Sequence, residues 1–171
     1  MLEIRSHEAF LNLNLVNIQA AKETLNSLFF SNWSQEILYK PKLRTFVLIK
    51  HSYGEEKYVR TPLSKQQRSL CAQLRAGILP LHLETGRYRG TPEEERVCVY
   101  CNMDIENEFH FLFYCPLYHE LRSRLFDKCE NLDLLWLNDA DRLKWLFDHK
   151  VFAFAEFLEK AWRKRMNETF T

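Results

Sequence analysis

Along the first part of the chain apolar residues recur at helical spacing. Between Glu8 and Phe30 they fall at Leu11, Leu15, Ile18, Leu25 and Leu28, which puts them on one face of a helix. The pattern predicts an amphipathic helix or a broken pair of helices. Trp33, Ile37 and Leu38 continue it until Pro41, where the missing N–H and the bias of the preceding residue towards extended backbone interrupt a helix. The next run, LRTFVLIK over Leu43–Lys50, is β-branched and aromatic enough for a strand and short enough for a helix, so the pattern leaves both open.

Ser64 and Gln67 stand three apart, the spacing of a capping box, ahead of Leu70, Cys71 and Leu74. Gly77 then offers a left-handed C-terminal residue, and a helix over about 65–76 follows. Past Pro80 the run ILPLHLETGRYRG is expected to be a loop. Pro116 suits a first helical turn ahead of Leu117, Leu121, Leu125 and Phe126, predicting a helix to about Cys129. Asn138 can cap a helix through Phe147, and Val151, Phe154, Ala155, Leu158 and Trp162 share one face of a last helix.

The expected fold is mainly α, a small helical domain with a metal knuckle (a short β-turn or hairpin plus helix) inserted between helices. Its segments are 1–40, 41–96, 97–130 and 131–171, within one compact domain. Hydrophobic residues make up 46% of the 171 positions, enough apolar surface to offset the entropy of ordering the chain. No stretch approaches the roughly 20 uncharged apolar residues of a membrane span, and MLEIRSHEAF lacks the layout of a secretory signal. The expected location is intracellular, in nucleus or cytoplasm, with no membrane partner. Five cysteines, an odd number, then favour thiolate or metal chemistry over a disulfide framework, with Cys71 and Cys129 read as small buried hydrophobes.

The formal net charge of +1 conceals segregation: residues 1–39 carry −2, 40–96 carry +6, 97–159 carry −6 and 160–171 carry +3. The basic block can meet phosphate, whereas the acidic block after it would repel phosphate.

That acidic block contains Cys98-Val-Tyr-Cys101, then His110, then Cys115. Two cysteines two residues apart can bind one ion from a tight turn, and a histidine and third cysteine close a tetrahedron. Asp104, Glu106 and Glu108 are expected early in a short helix, with Phe109, Phe111, Leu112 and Phe113 as an apolar wall. In a continuous α-helix residues five apart lie about 140° apart, so the helix must end between His110 and Cys115. Pro116 supplies the reason, because it drives Cys115 out of helical geometry. Three thiolates and one imidazole saturate the ion, so the expected cofactor is one structural Zn2+ on Cys98, Cys101, His110 and Cys115.

The runs RSLCAQLRAGILPLHLETGRYRG, EERVCVYC and ENEFHFLFYCPLYHELR, together with PKLRTF at Pro41–Phe46, resemble the C-terminal region of reverse transcriptases from LINE-type retrotransposons. In that family a Cys-Cys-His-Cys knuckle follows the polymerase and thumb. The resemblance covers about Trp33 to Leu125. It implies a segment that helps hold RNA or DNA, with the knuckle ligands at the four positions above. It also implies phosphate contacts at Arg68, Arg75, Arg87 and Arg89. No Tyr/Phe-x-Asp-Asp pair and no nuclease-like acidic cluster accompany it, so a polymerase centre is missing and the chain resembles a detached tail.

The expected function is a zinc-binding, nucleic-acid-binding module whose partners are RNA or DNA, or the rest of a polymerase, with exposed tyrosines such as Tyr88, Tyr100 or Tyr118 stacking bases. The alternative is a zinc-stapled interaction module that docks another protein through aromatics such as Trp136, Trp145, Trp162, Phe152, Phe154 and Phe157. An enzyme is not expected, and neither is a small-molecule substrate: His51, His82, His119 and His149 are scattered, and no serine or lysine stands in a nucleophile setting. Arg163-Lys164-Arg165 reads as a solvated helix end.

Overall fold

The computed structural model describes residues 18–129, 134 and 136–168, so Leu11 and Leu15 of the expected first helix lie outside it. Its contacts divide the chain into two units, Met1–Ile37 and Leu38–Thr171. Helix α1 spans Ile18–Leu38 as one element. Thr24 and Ser34 turn their hydroxyls back onto the carbonyls of Ala20 and Ser31, each at 2.9 Å, so these polar residues do not break it. Leu25, Leu28 and Phe29 are all more than half exposed.

In the second unit a 3-10 turn at Pro41–Leu43 leads into α2 (Arg44–Ile49), α3 (Lys57–Arg60), α4 (Lys65–Ala76) and α5 (His82–Tyr88). After the knuckle come α6 (His119–Asp127), α7 (Asp139–His149) and α8 (Val151–Glu168). Helix α8 packs on α4, α6 and α7, and α2 packs on α4 and α7. The buried faces of these helices meet in one core containing Leu70, Leu74, Leu143, Leu146, Phe154 and Leu158, which the knuckle joins through Phe111, Leu112 and Phe113.

Local rules account for the best-defined boundaries. The Gln67 amide donates to Ser64 Oγ and the Ser64 amide to Gln67 Oε1, both at 3.1 Å, a complete capping box at the start of α4. Its far end needs glycine for two reasons. Gly77 sits at φ 76°, and a Cβ there would lie 2.7 Å from Arg44 Cγ, where α2 crosses closely. Asn138 accepts from the Asp141 amide at 2.9 Å and starts α7.

Three sequence expectations are corrected or decided. The undecided run 43–50 is helical, with Thr45 and Ile49, four apart, buried together. The expected loop after Pro80 contains α5, whose first amides are satisfied from far along the chain. His82 N–H donates to Glu106 Oε2 at 2.7 Å and Leu83 N–H to the Glu106 carbonyl at 3.1 Å. Of the expected β-turn or hairpin, the described residues of the knuckle show a turn closed by one antiparallel bridge, Val97 with Ile105, and no strand. The mainly helical class stands.

Candidate metal centre

The bridge brings the ends of the first ligand loop together. Cys98 N–H donates to the Asp104 carbonyl at 2.8 Å and Glu106 N–H to the Arg96 carbonyl at 2.9 Å. Between them the chain turns back, with Asn102 N–H on the Cys98 carbonyl at 2.8 Å and Asn102 itself at φ 53°. Asparagine tolerates this left-handed geometry better than most side chains. The turn places Cys98, fully buried, and Cys101, partly exposed, on the same side.

The second pair comes from an unexpected backbone. Of the three acids expected early in a helix, Asp104 and Glu106 precede it; helical geometry begins at Glu108 and widens into a π turn over His110–Tyr114. Cys115 N–H bonds to the His110 carbonyl at 2.8 Å, an i to i+5 closure that sets residue 115 over residue 110. The wide turn thus solves the angular mismatch that an α-helix would impose. Cys115 itself has left helical geometry at ψ 124°, ahead of Pro116, as the sequence predicts.

One ligand atom from each of Cys98, Cys101, His110 and Cys115 lies within 4.8 Å of the others, so the four can hold one metal ion. Cys98 Sγ and Cys115 Sγ are 3.9 Å apart, and Cys101 Sγ is 3.3 Å from His110 Nε2. Two sulfurs at about 2.3 Å from a tetrahedral ion sit about 3.8 Å apart, which the cysteine pair matches. His110 presents Nε2 to the cysteines, while its buried Nδ1 has no partner among the described residues.

Protons occupy this cluster when no ion does. The hydrogen bond between Cys98 and Cys115, together with burial, pushes the Cys98 thiol up, and the same hydrogen bond lowers Cys115 against the opposing effect of burial. Burial raises Cys101 and lowers His110, keeping the imidazole neutral and ready to coordinate. An ion must displace thiol protons to bind, so its affinity falls as pH falls.

Two acids of the knuckle, Glu106 and Glu108, face inward, while Asp104 is exposed. Glu106 is 1% exposed and meets Arg165 through both oxygens, NH2 at 3.0 Å. Glu108, 2% exposed, accepts from Arg44 NH2 at 2.6 Å, and Arg44 NH1 reaches Glu84 at 3.1 Å. Arg165 therefore is not part of a solvated helix end: it is buried against Glu106 and lies over the rings of Tyr100 and Trp162. Arg163 of that terminal cluster is exposed on the helix surface and pairs with Glu159 at 2.6 Å.

The four arginines named for phosphate contact are not equivalent. Arg68, Arg87 and Arg89 are exposed. Arg87 lies 4.9 Å over the exposed Tyr88 ring and pairs with Glu84 at 2.7 Å. Arg75 is buried, bonded to Glu56 at 2.7 Å and held between the rings of Phe46 and Phe147, so it serves the core and not the surface. Of the tyrosines named for stacking, Tyr88 is exposed, Tyr100 half-buried and Tyr118 buried. Among the aromatics of the alternative reading, Phe154 and Phe157 are core, Trp145 and Trp162 pack against it, and Trp136 and Phe152 are exposed.

Sequence reasoning missed Glu106, Arg122 and Arg165 as neighbours of the ligands. Arg122 donates from Nε to the Leu112 carbonyl at 2.8 Å and from NH2 to the Cys115 carbonyl at 2.6 Å. The trace of the two arginines in the sequence is the placement of charged residues on otherwise apolar faces of α6 and α8. Compared with protein-family models, curated proteins and solved structures, the chain matches none.

Proposed function

We propose that this chain is a zinc-binding, nucleic-acid-binding module that resembles the tail of a LINE-type reverse transcriptase and lacks a polymerase centre. The observation that carries the reading is the convergence of Cys98, Cys101, His110 and Cys115 within 4.8 Å. Three sulfurs and one imidazole nitrogen form a soft set that suits zinc and not magnesium or calcium. Four such donors fill a tetrahedron and leave no position for water, so the ion is structural.

Exposed Arg68, Arg87 and Arg89, with the exposed ring of Tyr88 between the last two in sequence, supply the phosphate and stacking chemistry that single-stranded nucleic acid needs. Pairing of Glu106 with Arg165 and of Glu108 with Arg44 also removes much of the repulsion that the acidic block would exert. Arg75, being buried, takes no part in this surface.

The test is native mass spectrometry of the purified chain beside Cys98→Ser, followed by salt-dependent binding to single-stranded RNA and DNA. One zinc in the first protein and none in the second is expected. Removing Arg68, Arg87 and Arg89 together should flatten the salt dependence, by about 0.7 in slope for each phosphate no longer neutralised. Equal metal content in the two proteins overturns the zinc reading, and an absence of binding at low salt overturns the nucleic-acid reading.

A further inference from the structure

The ligand cluster lies in a setting whose charges can be counted. Cys98 and Cys115 are fully buried and His110 is 3% exposed, so charge left on the site is poorly screened. Three thiolates around a divalent ion carry one net negative charge. Glu106 adds a second, its Oε1 only 3.7 Å from Cys98 Sγ. Asp104, the other acid between Cys101 and His110 that stands before the helix, is exposed and screened by water.

Two buried negative charges without compensation would be strongly unfavourable. Two guanidinium groups stand against them. Arg165 binds both oxygens of Glu106 from α8, and Arg122 from α6 donates to the backbone carbonyls of Leu112 and of the last ligand, Cys115. A guanidinium has no lone pair to give a metal, so neither is a ligand. Each sits where its charge acts through a neighbour of a ligand.

Building on the zinc reading above, we infer that Arg122 and Arg165 are positioning residues that neutralise the loaded knuckle, so the site is balanced for a divalent ion held by three thiolates. The balance explains two features together. A buried acid beside a thiolate is otherwise unfavourable; here Glu106 caps the start of α5 and is cancelled by Arg165. Arg122 is likewise only partly exposed, a position that suits a guanidinium when negative charge stands beside it, and its NH2 lies 2.6 Å from the Cys115 carbonyl. A monovalent ion in the same site would leave the pocket net negative, and a trivalent ion would leave it net positive.

The test measures zinc affinity by competition with a chromophoric chelator, in the full chain and in Arg122→Gln, Arg122→Lys, Arg165→Met and the double variant Glu106→Gln/Arg165→Met. Loss of an outer-shell partner of this kind lowers metal affinity by about 10–100-fold, which is expected for Arg122→Gln and Arg165→Met. Arg122→Lys keeps the charge and should stay near the full chain. The double variant restores neutrality and should bind more tightly than Arg165→Met alone, whereas a mere packing role for the pair predicts equal or weaker binding. Cobalt substitution reads the sulfur-to-metal charge-transfer band and reports whether the ligand set itself survives in each variant.

Equal affinity in all proteins overturns this inference and leaves the zinc reading intact, as does a double variant no better than Arg165→Met. Should Arg165→Met fail to fold, the Arg122 pair decides: Gln weak and Lys strong supports the inference, and the two alike overturns it. A full chain that takes up no zinc overturns both readings.

Discussion

The knuckle and the α4–α7–α8 bundle belong to the same unit yet hold their shape by different means. Helices α4, α7 and α8 bury Leu74, Leu143, Leu146, Phe154 and Leu158 almost completely, and their backbone groups are satisfied within each helix. Residues 97–109 have one bridge, a few turn hydrogen bonds and two glutamates held by arginines that belong to α2 and α8. A bundle of this kind draws its stability from apolar area; the knuckle draws it from four ligands and from charges that must be matched. One region therefore tolerates chemistry at its edges and is sensitive to cavities, and the other is the reverse.

The largest effect that can break this comparison is removal of the ion. Chelation, or Cys98→Ser, should release amide protection through 97–118 while α4, α7 and α8 stay protected by hydrogen exchange and most helical dichroism remains. Structural zinc contributes up to about 10–16 kcal/mol of apparent binding free energy in small fingers, so the loss of protection in the knuckle should be complete. If protection in the bundle falls together with it, the two regions form one cooperative unit and the contrast fails.

The converse experiment is a cavity in the bundle. Phe154 is fully buried, with its ring 5.1 Å from Phe147 and 6.5 Å from Phe157. Phe154→Ala should cost about 3–5 kcal/mol. For a chain of this size that corresponds to roughly a 10 °C fall in melting temperature. Metal stoichiometry at room temperature should be unchanged. A zinc-free protein in this variant would show that the knuckle depends on bundle packing more than on its own ligands.

The same contrast explains how much was legible in the sequence. Features controlled by neighbours in sequence were readable: the capping box at Ser64 and Gln67, the left-handed Gly77, the Asn138 cap and the apolar face of α8 all appear as expected. The four candidate ligands were readable as well, because cysteine spacing is a local code. What was misread depends on distant partners. Helix α5 starts on amides satisfied by Glu106, twenty-four residues away. Glu106 suits a helix start only while Arg165 is out of view, whereas Glu108 does open the short helix. The π turn that aligns His110 with Cys115 leaves no periodic trace, and Arg75 is a core residue because Phe46, Phe147 and Glu56 converge on it from three segments.

Cysteine chemistry sharpens the comparison further, since the bundle has its own buried thiol. Burial pushes Cys71 up to about 12, from an ordinary value near 9. A group that holds its proton more tightly in the folded state contributes fully below the unfolded value and loses that contribution as pH rises towards the folded one. The window here is pH 9 to 12. At pH 10 the linkage amounts to about 1 kcal/mol, read as the narrowing gap in urea stability between the natural chain and Cys71→Ala. Alkylation is the companion measurement: after chelation the partly exposed Cys101 should react at about pH 8.5 while Cys71 stays unmodified. Fast modification of Cys71 would mean that the bundle opens along with the knuckle.

The smallest effect tests whether the bundle is locally determined at its edge. Ser64 Oγ accepts the Gln67 amide at 3.1 Å, and the reciprocal bond returns to the Ser64 amide. Ser64→Ala removes the first bond and weakens the second, leaving an N-terminal amide of α4 to water, at a cost of about 1 kcal/mol. Ser64→Gly should cost only a few tenths, because the open backbone lets water reach the same groups. Gln67 also reaches Glu159 on α8 at 2.9 Å, so a loss well above about 1 kcal/mol in Ser64→Ala would show the cap to be coupled to the α4–α8 contact. Zinc affinity should not move in either variant. The cap adjoins the helix pair that forms the core, and the knuckle meets that pair through apolar side chains such as Phe111, which a fraying first turn leaves in place.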